Sequence, residues 1–329
     1  MNTSLQPTTR DDHTGNDWQL RPEVAAAMKR VAFIAEEDES AEITDHSITF
    51  QNYDERTTIS VEPINVDTWD GHRVTECITI RTPLTSFKLF DEERYSTINA
   101  FATTGAIARD ATGNDAIVSR LPLYEGDEVA LAELYVPLIG YAALLQVIGP
   151  VSGLLYMQGR KEEVRPEDAS LPDWNEPSCW DAREFECAEE RLSLTGAYAN
   201  SGASGLTVEF PWEQGAISSI VGDRTSLLRL SANQAHPAAG NGLLYRLELP
   251  MLFEDDEARH WAACLNRIEA ESIDTPPLFG AWCTMPGSGA VSFVGFWPNV
   301  MYRPGTATNI AFWSWARSRF ARQIIGNLH

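Results

Sequence analysis

The sequence predicts an α+β protein of two tandem domains, each an antiparallel sheet with helices packed on one side. Three observations support this prediction. A strand-like run stops at a proline in both halves, and Pro83 and Pro250 lie 167 residues apart. The helical pattern that follows carries an asparagine in both halves, and Asn99 and Asn266 are also 167 residues apart. Later turn residues repeat with offsets of 175 or 176, since Gly105, Gly113 and Pro122 correspond to Gly280, Gly289 and Pro298.

The first domain is expected over residues 22–157, after a polar and aperiodic arm of residues 1–21 that is predicted to be disordered. Pro22 favours the first turn of a helix, and Val24, Met28 and Val31 lie on one face of that helix. Three strands, a middle helix, two strands and a long last helix are expected to follow. The predicted strands are residues 43–50, 57–66 and 72–82, with a turn at Trp69, Asp70 and Gly71, and the middle helix is residues 91–102.

Residues 158–178 combine charge and proline without periodicity and are predicted to be a linker. The second domain is expected over residues 179–329 with the same order, α-β-β-β-α-β-β-α. Its predicted helices are residues 180–198, 254–270 and 307–325, its strands are 206–212, 216–232, 243–249, 279–285 and 290–297, and 200–205 is a loop. The middle helices are predicted to bury Tyr95, Ile98 and Phe101 in copy one, and Leu265 and Ile268 in copy two.

Composition excludes some classes of function. The formal charge of −22 argues against nucleic-acid binding, which needs a basic face to neutralise phosphates. The five cysteines are scattered without metal-binding spacing, and the first residues do not form a secretion leader. We therefore expect a cytoplasmic protein with reduced thiols. Residues 134–158 carry no charge, but internal proline and glycine favour a buried helix and no membrane span.

The sequence contains no pattern typical of catalysis. No two of its six histidines stand at i and i+4 on a helix, and Gly287, Ser288 and Gly289 join two strands, which predicts a hairpin turn and no phosphate loop. Two acidic clusters lack the spacing of a calcium site, and residues 254–257 are better placed to stabilise a helix start. We predict no metal, no cofactor and no catalytic residue.

A candidate protein-binding surface lies near the carboxyl end. No Asp or Glu follows Asp274, so this end is locally basic. Aromatic and arginine side chains together are typical anchors of protein interfaces, and the candidate residues are Trp315, Arg317, Arg319 and Arg322. The core face of the same helix is predicted to be Trp313, Ala316, Phe320 and Ile324. An alternative places Trp315 under the neighbouring copy.

The order of elements resembles the fold family of bacterial type III secretion chaperones and YbjN-like proteins. The stretches that carry the resemblance are residues 96–101, 105–110 and 117–122 in copy one, and 265–267, 280–282 and 291–296 in copy two. Members of the chaperone kind are small acidic homodimers that bind extended segments of client proteins. The resemblance therefore implies that the tandem copies form an internal pseudo-dimer. We also expect Asn99 and Asn266 to hydrogen-bond the backbone of the next strand.

These observations together predict a non-enzymatic cytoplasmic protein that binds another protein. The alternative is a small-ligand binder or an enzyme with its site in the cleft between the copies. A third class is a structural or assembly subunit that uses the same surfaces permanently.

Overall fold

The computed structural model describes residues 19–52, 55–67, 73–84, 92–109, 113–127, 130, 134–157, 176–195, 197–211, 225–272, 275–284 and 289–328. Most of the predicted arm and linker lies outside these described residues. So do the turn at Trp69, Asp70 and Gly71, and Gly287 and Ser288 of the later turn.

Copy one forms a six-stranded antiparallel sheet with the strand order β1-β2-β3-β4-β6-β5. Its elements are α1 (Pro22–Val31), β1 (Glu42–Ile43), β2 (Ser47–Asn52), β3 (Glu55–Asp67), β4 (Arg73–Pro83), α2 (Glu92–Asn99), β5 (Ala106–Arg109), β6 (Asp115–Tyr124), α3 (Val136–Leu145) and α4 (Ile148–Met157).

Copy two repeats this topology with the strand order β7-β8-β9-β10-β12-β11, also fully antiparallel. Its elements are α5 (Ala182–Ser193), β7 (Tyr198–Gly202), β8 (Gly205–Pro211), β9 (Thr225–Ser231), β10 (Gly242–Leu252), α6 (Asp255–Glu271), β11 (Ala281–Thr284), β12 (Ala290–Pro298) and α7 (Thr306–Leu328). The predicted tandem α+β architecture is therefore confirmed.

Each sheet has one strand more than the sequence predicted. The run predicted as residues 43–50 is interrupted because the Thr44 hydroxyl accepts hydrogen bonds from the backbone N–H groups of His46 and Ser47, which makes a turn. In copy two, residues 200–205 do not form a loop. Small polar residues there pair with β8 around a two-residue turn, with Gly202 opposite Gly205.

The last helix of copy one is divided into α3 and α4, whereas a single long helix was expected. A proline has no N–H to bond the carbonyl four residues earlier, and Pro150 instead occupies the first turn of α4. At the break, the Gln146 amide nitrogen donates to the Thr82 hydroxyl at 2.7 Å. Gly149 packs so closely that a Cβ there would lie 2.4 Å from the Phe101 carbonyl oxygen.

The apolar run over this helix pair satisfies the length and composition of a membrane span over Val136–Gly153. However, 78% of that window is buried inside the fold. The core helix of a globular protein has the same composition, and packing in copy one accounts for the run.

The middle helices position the strand that follows them by an identical device in both copies. The Asn99 amide donates to the carbonyl of Ile107 at 3.2 Å, and its oxygen accepts from the Ile107 N–H at 2.9 Å. Asn266 makes the same two bonds to Trp282, at 2.7 and 2.8 Å. Both asparagines are buried, so these bonds satisfy backbone groups that water cannot reach. The predicted hydrogen bond is confirmed in both copies.

Buried apolar side chains of the two copies form one large cluster, with a second small cluster beside α2. In α1, the predicted face of Val24, Met28 and Val31 is buried. In the middle helices, Ile98 and Leu265 are fully buried as predicted, and Tyr95 is also buried. Phe101 and Ile268, which were predicted to be buried, are only half-buried.

Candidate functional site

Arg317, one of the four predicted partner-binding residues, lies in the core of copy two and is 2% exposed. Its Nε donates to both carboxylate oxygens of the fully buried Glu269, at 3.0 and 3.1 Å. Another guanidinium nitrogen donates to the carbonyl of Pro277 at 2.8 Å. The guanidinium carbon stacks 3.8 Å from the ring centre of Phe293. The expected place of Arg317 on a protein-binding surface is therefore wrong.

Burial raises the pKa of Glu269, while the Arg317 charge and a hydrogen bond from the Trp282 indole oppose that rise. A charge pair of this kind is tolerated in a core only when its remaining hydrogen-bonding groups are satisfied. Here the indole and a backbone carbonyl supply the additional bonds. Arg317 thus joins α7 to α6 and β12.

The buried face of α7 differs from the predicted one. The predicted residues, Trp313, Ala316, Phe320 and Ile324, are half-buried. The fully buried face has small and polar residues at its centre, and it consists of Ile310, Ala311, Ser314, Arg317, Ser318, Ala321 and Ile325. These residues also follow helical spacing. A search for apolar residues alone does not detect the face, because serine and arginine lie at its centre.

Three of the predicted partner-binding residues form a stripe on another side of α7. Trp315, Arg319 and Arg322 are separated by four and three residues, which places them on one helical face. Arg319 is exposed, Arg322 is half-buried, and Trp315 is half-buried with part of its side chain against the core. We call these three residues the α7 stripe.

The polar network around Arg317 has no counterpart in copy one. By the repeat offsets, Glu269 and Trp282 correspond to Ala102 and Ile107, which are both buried and apolar. Copy two therefore has an ion pair and an indole where copy one has aliphatic packing. Alignment of the two halves by their offsets is the sequence signal that identifies this difference.

The two copies pack against each other through reciprocal backbone hydrogen bonds. Arg120 of β6 and Leu278 exchange N–H to carbonyl bonds at 2.8 and 3.2 Å. At the equivalent place on the other side, the Phe296 N–H donates to the Thr103 carbonyl at 3.0 Å. Helices α2 and α6 contact each other, and each also contacts the edge strand of the other copy. Residues that correspond by the repeat offset thus make the same backbone contact from opposite copies. The isologous interface of a homodimer has this arrangement.

Two side chains add to this junction. The Arg120 guanidinium donates to the backbone carbonyl of Ser272 just after α6, where the partial negative charge of a helix end favours a cation. From copy two, His236 is buried, and its Nε2 lies 3.0 Å from the carbonyl oxygen of Phe101. Its Nδ1 accepts from the N–H of Ala238 at 3.1 Å, so the ring is neutral with its proton on Nε2. Burial lowers the pKa of His236 to about 4.

At the sheet edges away from the junction, each copy exposes large apolar side chains on equivalent elements. In copy one, Phe33 follows α1 and is 45% exposed, and Ile43 on the edge strand β1 is 56% exposed. In copy two, Leu194 follows α5 and is 85% exposed, and Tyr198 on the edge strand β7 is 69% exposed. We call Phe33 and Ile43 outer pair one, and Leu194 and Tyr198 outer pair two.

A carboxylate caps a backbone N–H near each outer edge. Asp38 accepts from the N–H of Gln51 at 2.6 Å, and this bond is the main reason that the pKa of Asp38 is lowered. Glu189 of α5 accepts from the N–H of Ser201 at 3.0 Å. Open strand edges are otherwise templates for unwanted pairing, so these caps restrict it.

Among the residues that the structure describes, no group of three or more His, Cys, Asp and Glu side chains could hold a metal ion. The acidic cluster of residues 254–257 lies at the start of α6, with Asp255, Asp256 and Glu257 in the first turn. The predicted position at a helix start is confirmed, and these carboxylates favour the positive end of the helix dipole. The Glu254 side chain, however, makes no capping hydrogen bond.

Comparison of the chain with protein-family models, with curated proteins and with solved structures finds no match.

Proposed function

We propose that this protein is a non-enzymatic, cytoplasmic adaptor or chaperone-like protein that binds another protein at its two outer ends. One observation carries the proposal: each copy exposes a large apolar side chain after its first helix and another on its first edge strand. Single exposed apolar residues are common on protein surfaces and need no function. Their repetition after the first helix and on the first edge strand of both copies supports a role that the copies share.

The charge beside the outer pairs indicates the chemistry of the partner. Exposed acidic residues follow Phe33 in the chain and flank Ile43, and these are Glu36, Glu37, Glu39, Glu42 and Asp45. Exposed Glu186 and Glu190 precede Leu194 on α5. The whole chain carries a formal charge of −22. Charge complementarity therefore favours a partner segment that combines apolar and basic side chains.

Two synthetic peptides test this proposal, one with alternating Leu and Lys and the other with alternating Leu and Glu. Fluorescence anisotropy of the labelled peptides with the full-length protein measures binding. The Leu-Lys peptide should bind, and the double variants Phe33→Ser/Ile43→Ser and Leu194→Ser/Tyr198→Ser should each weaken its binding several-fold. The Leu-Glu peptide should not bind.

Leu252→Ser is the matched control, because Leu252 is 74% exposed but belongs to neither outer pair. It should leave peptide binding unchanged. If Leu252→Ser weakens peptide binding equally, the peptide binds to exposed apolar residues in general and not to the outer pairs. Unchanged binding in both double variants would overturn the assignment of the outer pairs.

The α7 stripe is a second surface that we include in the proposal. Arg319 and Arg322 add positive charge to an acidic molecule, next to a large aromatic side chain. The variant Arg319→Glu/Arg322→Glu should recover fewer partner proteins from cytoplasm while its thermal unfolding stays that of the wild type. Equal recovery of the same proteins would exclude the stripe from the binding surface.

A further inference from the structure

A cysteine and a histidine form a close pair on helix α6. The Cys264 sulfur lies 3.4 Å from Nε2 of His260, within hydrogen-bonding distance for sulfur. The two residues are four positions apart, so the helix itself keeps their side chains on one face. The His260 ring also meets the Trp261 ring at 6.2 Å in an edge arrangement.

The pair is open to reagents from solution. His260 is exposed and Cys264 is half-buried, in contrast to Cys77 and Cys283, which are buried in the sheets. Burial raises the pKa of Cys283 to about 12, which keeps that thiol protonated. Burial and the charge of Glu176 also raise the pKa of Cys179. Cys187 is exposed on α5 and provides the natural comparison for Cys264.

We propose that Cys264 and His260 form a reactive thiol–imidazole pair, and that Cys264 is the site at which this protein takes up a low-molecular-weight disulfide. Thiolates are the nucleophilic form of cysteine, and an adjacent histidine increases their population. The proposal concerns α6 alone and does not depend on protein binding at the outer pairs.

The step balances as thiol–disulfide exchange. In the tautomer protonated at Nδ1, Nε2 of His260 accepts the Cys264 proton. The thiolate attacks one sulfur of the disulfide, the sulfur–sulfur bond breaks, and a new bond joins Cys264 to that half of the reagent. The other half leaves as a thiolate and takes the proton from the imidazolium. One thiol and one disulfide thus become a mixed disulfide and a free small thiol.

Oxidised glutathione is the probe, and mass spectrometry of proteolytic peptides measures modification of all five cysteines in one sample of folded, full-length protein. At pH 7, Cys264 should react about tenfold faster than Cys187, because Cys264 has an imidazole beside it that can accept its proton. His260→Gln should reduce the rate at Cys264 to about that of Cys187 and leave Cys187 unchanged. Similar rates at Cys264 and Cys187 in the wild type, or no effect of His260→Gln, would overturn the inference.

The buried cysteines report whether each variant is folded, because Cys77 and Cys283 react only when the sheets open. If His260→Gln fails this check, the pH profile of the wild type decides the question. Iodoacetamide modification of Cys264 should then rise at a lower pH than that of Cys187. Coincident profiles would show that His260 does not activate the thiol.

Discussion

At the scale of single residues, Arg317 has the largest predicted effect on stability. It is buried, bonded to the buried carboxylate of Glu269, and stacked on Phe293. Removal of one partner from a buried pair leaves the other charge without compensation. The same helix carries Arg319 on its exposed side, which offers a control of identical chemistry.

Arg317→Met should lower the free energy of unfolding by about 3–5 kcal/mol, because Glu269 then remains buried without its cation. Arg319→Met should change it by less than about 0.5 kcal/mol, as is usual for an exposed position. Urea unfolding of both variants measures the difference. Equal and small losses would show that Arg317 does not hold the pair in solution.

Asn266 is the second residue with a specific structural role. Asn266→Ala should destabilise the protein by about 2 kcal/mol or more, because it leaves both the N–H and the carbonyl of Trp282 unpaired in the core. Asn200→Ala, at an exposed position of β7, is the control and should have little effect. A loss at Asn266 no larger than at Asn200 would contradict the role in positioning β11.

At the scale of elements, the middle helices α2 and α6 connect the sheets to the junction between the copies. Their central apolar residues, Ile98 and Leu265, are fully buried and correspond to each other by the repeat offset. Both helices contact each other across the junction. Loss of packing in either helix should therefore weaken the fold of the whole chain.

Ile98→Ala and Leu265→Ala should each cost about 2–5 kcal/mol in the free energy of unfolding, since each deletes buried methyl groups and leaves a cavity. Thermal or urea unfolding monitored by circular dichroism measures this loss. Leu252→Ala, at the exposed last position of β10, is the control. Losses below about 0.5 kcal/mol at both buried sites would mean that these faces are not packed in solution.

The outer edges illustrate how much of an element the sequence could predict. Apolar alternation in residues 206–212 predicted β8, because a half-buried strand requires period two. Strand β7 was predicted as a loop because its small polar residues lack that alternation. Its pairing depends on the neighbouring strand β8 and on the carboxylate of Glu189, which accepts from Ser201.

At the scale of the whole molecule, the junction between the copies contains a buried neutral histidine. The pKa of His236 falls from its ordinary value of 6.5 to about 4 because burial disfavours the charged ring. The unfolded chain therefore binds a proton at a higher pH than the folded chain. The stability that neutral His236 contributes is complete above pH 6.5 and is lost as the pH falls to about 4.

This shift corresponds to about 3 kcal/mol of unfolding free energy between neutral pH and pH 4. His236→Gln should lose about that much less stability than the wild type over the same pH range, because carboxylates act equally in both proteins. Urea unfolding at pH 7 and pH 4 measures the two differences. An identical pH dependence in wild type and variant would show that the fold does not lower the pKa of His236.

The sequence by itself determined the duplication, the α+β class, the order of most elements and the role of the two asparagines. These features follow from local periodicity, from proline and glycine at turns, and from offsets between two copies of one pattern. Only the tertiary structure decided the burial of Arg317, the division of the last helix of copy one, the two additional edge strands and the reciprocal junction. The burial of Arg317 and the junction depend on partners far away in the chain, whereas the additional edge strands are short polar segments without apolar alternation. Arg317, for example, meets Glu269 across 48 residues, and no local pattern encodes that contact.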